Sequence, residues 1–144
     1  MDWKKEAIKE LENYNQRAEA VISIEERIKI LEEDICSLKG MSNGVPVMGG
    51  GNKQEDRLIN NVSERQLLEL NLTITKKLLE LTQNALSKLE DDEREVLNAF
   101  YISAIPNHIQ VLCQRLHMEK TFVYKLKDRA LRKFTMLMFG IIEI

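Results

Sequence analysis

Helix-breaking residues are scarce in this chain of 144 residues. Its only prolines are Pro46 and Pro106, and five of its six glycines lie between positions 40 and 51. Because proline and glycine are the residues that most disfavour a helix, long stretches of the sequence are open to helix formation. Hydrophobic residues make up 44% of the chain, and Leu, Ile, Glu and Lys predominate. This composition predicts an all-α protein.

Long apolar runs are also missing. The N-terminal sequence MDWKKEAIKELENY carries charge throughout and lacks the apolar core of a signal peptide. No run approaches the ~20 apolar residues that a membrane helix needs. We therefore expect a cytoplasmic protein without membrane contact. Cysteine is rare as well, and Cys36 and Cys113 lie on apolar stripes of separate predicted helices, which indicates buried thiols and no disulfide.

The chain divides into three predicted segments. Residues 1–39 form one uninterrupted N-terminal helix in this prediction, residues 40–55 form a Gly-rich linker, and residues 56–144 contain a second long helix and the remaining helices. Gly40 is expected to end the first helix. The linker has neither a Walker pattern nor G-x-G-x-x-G, so it predicts no phosphate site.

The second long helix carries two adjoining apolar stripes. The first stripe is Leu67, Leu70, Ile74, Leu78, Leu81 and Ala85, and the second is Leu68, Leu72, Leu79 and Leu86. A face this wide predicts burial against more than one neighbour, which would make this helix the spine of the fold. Asp91 or Asp92 is expected to cap the next helix.

The stretch from Ile105 to Phe134 predicts two short helices around a tight turn. Its first half has an apolar stripe of Ile109, Leu112, Cys113 and Leu116, and its second half has one of Val123, Leu126, Ala130 and Phe134. Asn107 is expected to cap the first of these helices. Short helices cannot bury such stripes alone, so they must pack on each other and on a preceding helix, as in a helix-turn-helix unit.

Positive charge is concentrated in the same stretch. Between positions 112 and 134 the basic residues are Arg115, Lys120, Lys125, Lys127, Arg129, Arg132 and Lys133, against Glu119 and Asp128. The local charge is +5 in a chain whose net charge is −2. Basic residues near a helix C-terminus complement the helix dipole, which accounts for Arg132 and Lys133 but not for those before them. The concentration therefore predicts a polyanionic partner.

The residues of this stretch resemble region 4 of bacterial sigma factors. The run ALRKF at 130–134 is similar to the end of that family's recognition helix, with Val123 and Leu126 on its buried positions and Cys113 on the small residue that faces the turn. Residues 93–97 are similar to its preceding helix. There are two departures from the family pattern: Glu119 stands where a Ser or Thr cap is usual, and His117 stands where a small turn residue is common.

The whole layout resembles the small phage regulators of the RinA/ArpU type. This resemblance implies two long helices followed by a C-terminal helix-turn-helix that binds double-stranded DNA, in a transcriptional activator that works on the nucleoid of a bacterial host. It implies the base-facing residues Lys120, Thr121, Tyr124 and Lys125. The other predicted DNA contacts are Arg115, Lys127, Arg129, Arg132 and Lys133. Phe122 is left with two roles, contact with a thymine methyl group or packing on another helix.

The sequence leaves other partners and functions open. RNA polymerase is a candidate partner, and so is a second copy bound through the long helices or through the apolar tail after Phe134. The alternative functions are a phage DNA-packaging or assembly protein that uses a helix-turn-helix, and a helical module that contacts only protein.

No enzyme, cofactor or metal site is predicted. His108, Cys113 and His117 lie near one another in sequence but lack a fourth zinc ligand. The acidic run at 90–95 is explained by the start of a helix, where negative charge is favourable.

Overall fold

The computed structural model describes residues 1–42 and 51–142, without the side chains of residues 38–42 and 51–52. The regular structure of these ranges consists of α1 (Trp3–Glu12), α2 (Tyr14–Ser42), α3 (Gly51–Ser87), α4 (Asp91–Leu97), a π-helical turn (Asn98–Ile102), α5 (His108–Leu116) and α6 (Lys120–Phe139). The described ranges contain no strand, and the all-α prediction is confirmed. None of their helices combines the length and the apolar character that crossing a membrane would require.

The chain forms two compact units. Unit 1 comprises Met1–Ala18 and Leu78–Ile144, and unit 2 comprises Glu19–Lys77. Unit 1 therefore contains α1, the last turns of α3 and all of α4, α5 and α6, whereas unit 2 contains most of the two long helices.

The N-terminal helical region differs from the prediction at two places, the start and the end of α2. Asn13 interrupts the predicted continuous helix and separates α1 from α2, although its backbone stays in the right-handed helical region. Asparagine is a weak helix former, which suits it to such a break. Gly40 does not end α2, which continues to Ser42, because an interior glycine costs only ~1 kcal/mol relative to alanine. Of the predicted linker, residues 51–55 belong to α3 and residues 43–50 lie outside the described residues.

In unit 2, α2 and α3 run antiparallel and are joined by polar contacts. The side-chain amide of the buried Asn61 donates to the Leu31 carbonyl at 3.0 Å. The Lys76 ammonium lies 2.9 Å from the Glu25 carboxylate. Because positions early in α2 meet positions late in α3, these contacts also fix the antiparallel direction.

Two expectations about the long helices were wrong. Cys36 is exposed, and Leu67, Leu70 and Ile74 of α3 are at least half exposed. In unit 2, α3 packs with its second stripe, so that Leu68 and Leu72 are partly buried, and the first stripe faces away from α2. The sequence pattern showed two apolar stripes, but it did not contain the information about which one would meet a neighbour.

Helix α6 is the central element of unit 1. Its first half supplies Val123 and Leu126 to one hydrophobic cluster, which also contains Val96, Ala99 and Leu112. Its second half supplies Ala130, Leu131 and Phe134 to another cluster, with Ala7, Leu11, Ala85, Leu89 and Leu97. Both clusters depend on α6. The sequence predicted that the second long helix would be the spine of the fold, but in unit 1 this role belongs to α6.

The apolar tail packs on the second cluster. Met138 and Phe139 lie against it, and the ring centre of Phe139 is 5.1 Å from that of Trp3, with the two rings tilted by 43°. Helix α6 ends at Phe139, where Gly140 takes the left-handed backbone conformation that glycine adopts without strain. The rest of the tail is less covered, since Leu137 is 40% exposed and Ile142 83% exposed.

We expect Leu112→Ala to destabilise unit 1 by about 2–5 kcal/mol, because Leu112 is fully buried between α5 and α6 and its loss leaves a cavity. Urea denaturation followed by circular dichroism measures the change. The matched control is Leu137→Ala in the same unit, since Leu137 is 40% exposed and surface changes usually stay within about 0.5 kcal/mol. Equal stability of the two variants would contradict the packing described for α5.

Candidate nucleic-acid interface

A turn of three residues joins α5 to α6. His117 has φ 53° and ψ 44°, in the left-handed region, and the next backbone N–H, of Met118, donates to the Cys113 carbonyl at 3.2 Å. A left-handed residue after a helix is usually glycine, which is the physical reason that a small residue is common there. This chain forms the turn with a histidine instead. Glu119 precedes α6 without a side-chain capping hydrogen bond.

The predicted register of both helices is confirmed by burial. Leu112 and Val123 are fully buried, and Leu126 is 5% exposed. These side chains meet Val96 and Ala99 of the preceding helical segment in one cluster. Asn107 occupies the N-cap position of α5 as expected, but in the left-handed conformation and without a capping hydrogen bond.

At the start of α6, the face opposite the buried residues is exposed to solvent, and we call it the open face. The predicted base-facing residues Lys120, Thr121, Tyr124 and Lys125 are all exposed. Phe122 is 56% exposed, so much of its ring is accessible to a partner. The Lys125 ammonium lies 5.6 Å from the centre of the Phe122 ring, a cation–π distance. The structure therefore brings together a compact group with two cations, two hydroxyls and two aromatic rings.

Lys127 is placed differently from Lys125. Its side chain is only 21% exposed and its ammonium lies 5.5 Å from the ring centre of Phe100 and 5.6 Å from that of Tyr124. Asp128 pairs with the same ammonium at 3.1 Å. Burial raises the pKa of the neighbouring Tyr101 phenol, an effect that Lys127 opposes and Asp128 reinforces. Lys127 thus supports the open face from inside, through its contacts with the rings of Phe100 and Tyr124.

Two other predicted phosphate contacts, Arg129 and Lys133, face a buried carboxylate. Glu93 is fully buried, and its Oε1 accepts hydrogen bonds from the Lys133 ammonium at 3.0 Å and from the Glu90 backbone N–H at 3.1 Å. The Arg129 guanidinium lies 3.6 Å from Oε2. Burial raises the pKa of Glu93, but the Glu90 hydrogen bond and the two cations together hold that pKa below its usual value.

The cap of α4 belongs to the same arrangement. Glu90, not Asp91 or Asp92, occupies the N-cap position, because its backbone N–H finds the Glu93 carboxylate three residues later, as in a capping box. Carboxylate oxygens of Glu90, Asp92 and Glu93 lie within 4.8 Å of one another. They are the only group in the described ranges with the spacing of metal ligands, and Glu93 already has its cationic partners.

The seven basic residues among the nine predicted contacts therefore fall into two sets. Arg115 pairs with Glu95 at 3.5 Å, and Lys127, Arg129 and Lys133 have the acidic partners described above. Within the described ranges, Lys120, Lys125 and Arg132 are exposed and have no acidic partner. A shallow groove lined by Asn107, His108, Ile109, Gln110 and Lys120 extends the open face toward the start of α5.

Sequence reasoning missed two parts of this surface. The first part is the group of rings next to the open face. The π-helical turn places the ring centre of Phe100 4.4 Å from that of His108 and 6.1 Å from that of Tyr124. Its only sequence signal was the aromatic pair at 100–101. The burial of Glu93 had a signal in the capping-box spacing of Glu90 and Glu93, but its cations are about 40 positions away.

We expect Glu93→Gln to lower stability by about 1–3 kcal/mol at pH 7, because the amide cannot form the charge-assisted bonds to Lys133 and Arg129. A lowered folded-state pKa means that this stabilisation is complete above about pH 4.5 and is lost as pH falls through the folded-state value. The difference from wild type should therefore shrink below pH 4.5. Urea denaturation across pH measures it, with the exposed Glu80→Gln as control; a pH-independent difference would contradict the ionic role.

Known proteins do not assign this surface. No protein-family model, no curated protein and no solved structure matches the chain. Its function has to be inferred from its own side chains, and the likeness to sigma region 4 remains a prediction from the sequence.

Proposed function

We propose that the chain is a sequence-specific regulator that binds double-stranded DNA with the open face of α6. The observation that supports this most directly is the group of exposed side chains at the start of α6, opposite a fully buried stripe. Lys120, Thr121, Tyr124 and Lys125 occupy positions i, i+1, i+4 and i+5, and Val123 between them is fully buried. A recognition helix of a helix-turn-helix needs this division, because its N-terminal residues enter the major groove while its other face stays packed.

The chemistry of these side chains suits base edges. A lysine ammonium donates to guanine O6 and N7, and a threonine methyl group contacts the methyl group of thymine. Lys125 and Thr121 offer these groups on an exposed surface. Phe122, which is exposed as well, adds an apolar ring of the kind that packs on a thymine methyl.

Contacts to phosphates are fewer than the count of basic residues suggests. Arg132 is exposed and has no acidic partner in the described ranges, and Lys120 lies beside the groove at the start of α5. Arg129 and Lys133 keep 61% and 48% of their side chains exposed while they face Glu93. These two cations can reach a phosphate only by sharing or leaving that carboxylate, so we assign the main phosphate contact to Arg132.

The biological setting of the proposal comes from the sequence resemblance. Likeness to phage regulators of the RinA/ArpU type supports a transcriptional activator in the bacterial cytoplasm, with RNA polymerase as a further partner. The decisive experiment is selection of duplexes bound by the full chain from a random pool. Enrichment of one short motif supports the proposal, and recovery of unrelated sequences would refute sequence-specific binding.

Lys125→Ala should relax the preference at one or two base pairs of the selected motif, because a specific contact discriminates by about 1–3 kcal/mol. Binding of the variant to the best duplex and to all of its single-base changes, at fixed salt, measures this. Lys29→Ala removes the same charge from an exposed position of unit 2 and should leave the preference unchanged. If Lys125→Ala weakens all duplexes equally, the lysine contacts phosphate and not a base.

Arg132→Ala should weaken binding to all duplexes alike. If Arg132 neutralises one phosphate, the slope of log K against log salt becomes shallower by about 0.9. Titrations at four or more salt concentrations give the slope, again with Lys29→Ala as the control of equal charge. An unchanged slope would remove Arg132 from the interface.

A further inference from the structure

Helix α3 has an apolar face that nothing in unit 2 covers. We call it the outer stripe and define it as Asp56, Ile59, Ser63, Leu67, Leu70, Ile74 and Lys77, all of which are exposed. At 100° per residue these positions fall within an arc of about 80° on the helix. The four apolar members are 50–61% exposed. Monomeric proteins rarely leave so continuous an apolar strip in water, which indicates an interaction surface.

The charges at the ends of the outer stripe indicate what covers it. Asp56 and Lys77 flank the four apolar members of the outer stripe, and neither has an ionic partner in the described ranges. Leu81, which is 42% exposed, lies on the same arc one turn beyond Lys77. The stripe therefore carries an acid at one end, a base at the other, and four apolar side chains with one serine between them. A second copy that runs in the opposite direction presents the complementary order, whereas a parallel copy would place like charges together.

The spacing of the apolar residues fits the same alignment. An antiparallel copy centred between Gln66 and Leu67 sets Asp56 opposite Lys77 of the second copy and Ile59 opposite Ile74 of the second copy. Leu67 then lies beside its own equivalent near the two-fold axis, and Leu70 meets the small Ser63. Every contact occurs twice, as in an isologous two-fold interface.

We propose that two copies of this chain associate through their outer stripes as an antiparallel α3 pair. The strip is about 32 Å long and as narrow as one helix face, which lies at the small end of specific interfaces. We therefore expect a reversible dimer with a dissociation constant in the range of roughly 1–100 µM. The proposal does not rest on DNA binding and is tested without DNA.

The first experiment is sedimentation velocity of the full chain from about 1 to 300 µM, a range set by that affinity. The expected result is a concentration-dependent shift from one 16.8 kDa chain to the mass of two. A chain that stays monomeric over the whole range, or that forms assemblies of more than two copies, overturns the proposal.

The second experiment changes the centre of the stripe. Leu67→Glu puts two carboxylates beside the two-fold axis and should abolish the dimer, while an unchanged circular dichroism spectrum shows that the exposed position tolerates the change. Ile22→Glu is the matched control, because Ile22 is 58% exposed on α2 of the same unit but lies outside the stripe. A dimer that survives Leu67→Glu, or that is lost in Ile22→Glu, overturns the proposed surface.

The third experiment tests the direction of the pair. Asp56→Lys or Lys77→Asp alone replaces two attractions with two repulsions and should weaken the dimer about tenfold at low salt. A mixture of these two variants, or the double variant Asp56→Lys/Lys77→Asp, should recover the wild-type affinity. In a parallel pair neither single variant would weaken the dimer, since like charges would already face each other, and that result would overturn the antiparallel alignment.

Discussion

The burial of one side of α6 is the constraint on which unit 1 depends. From Val123 to Phe134 this helix gives five buried residues to two clusters, and α1, α4, α5 and the end of α3 pack around them. Because side chains on a packed helix have fixed directions, burying these positions also fixes where the remaining ones point. Lys120, Thr121 and Lys125 are held on an open face by the same packing that stabilises the core.

The buried carboxylate of Glu93 reduces the number of basic residues on α6 that are available to a partner. The sequence places seven basic residues between positions 112 and 134, but four of them have acidic partners in the structure. Surface ion pairs are weak and exchangeable, whereas Glu93 has no access to water and has to keep a cation nearby. Lys133 and Arg129 therefore serve the fold first, and the free positive charge is concentrated at Lys120, Lys125 and Arg132.

Periodicity predicted the elements well because the apolar spacing of a helix is a local property. The buried positions of α5 and α6 followed directly from it, as did the packing of Val96 and Leu97. What the sequence could not give depends on distant neighbours. The capping-box spacing of Glu90 and Glu93 was visible, but the cations that allow Glu93 to be buried lie on another helix. Likewise both stripes of α3 were apolar, and the sequence did not show that Leu68 would be partly covered and Leu67 exposed.

The small number of free cations bears on how such a chain would recognise DNA. Only three basic residues between positions 112 and 134 have no acidic partner in the described ranges. Contacts from three residues would release few counterions, so one copy would gain only modest affinity from phosphates. Two linked copies gain far more, because the second contact forms at the high effective concentration set by the first. A two-fold pair of chains would also read a DNA site with matching two-fold symmetry. If the proposed dimer forms and the open face of α6 binds DNA as proposed, association would compensate for the weak electrostatic attraction, and discrimination would be left to the side chains at the start of α6.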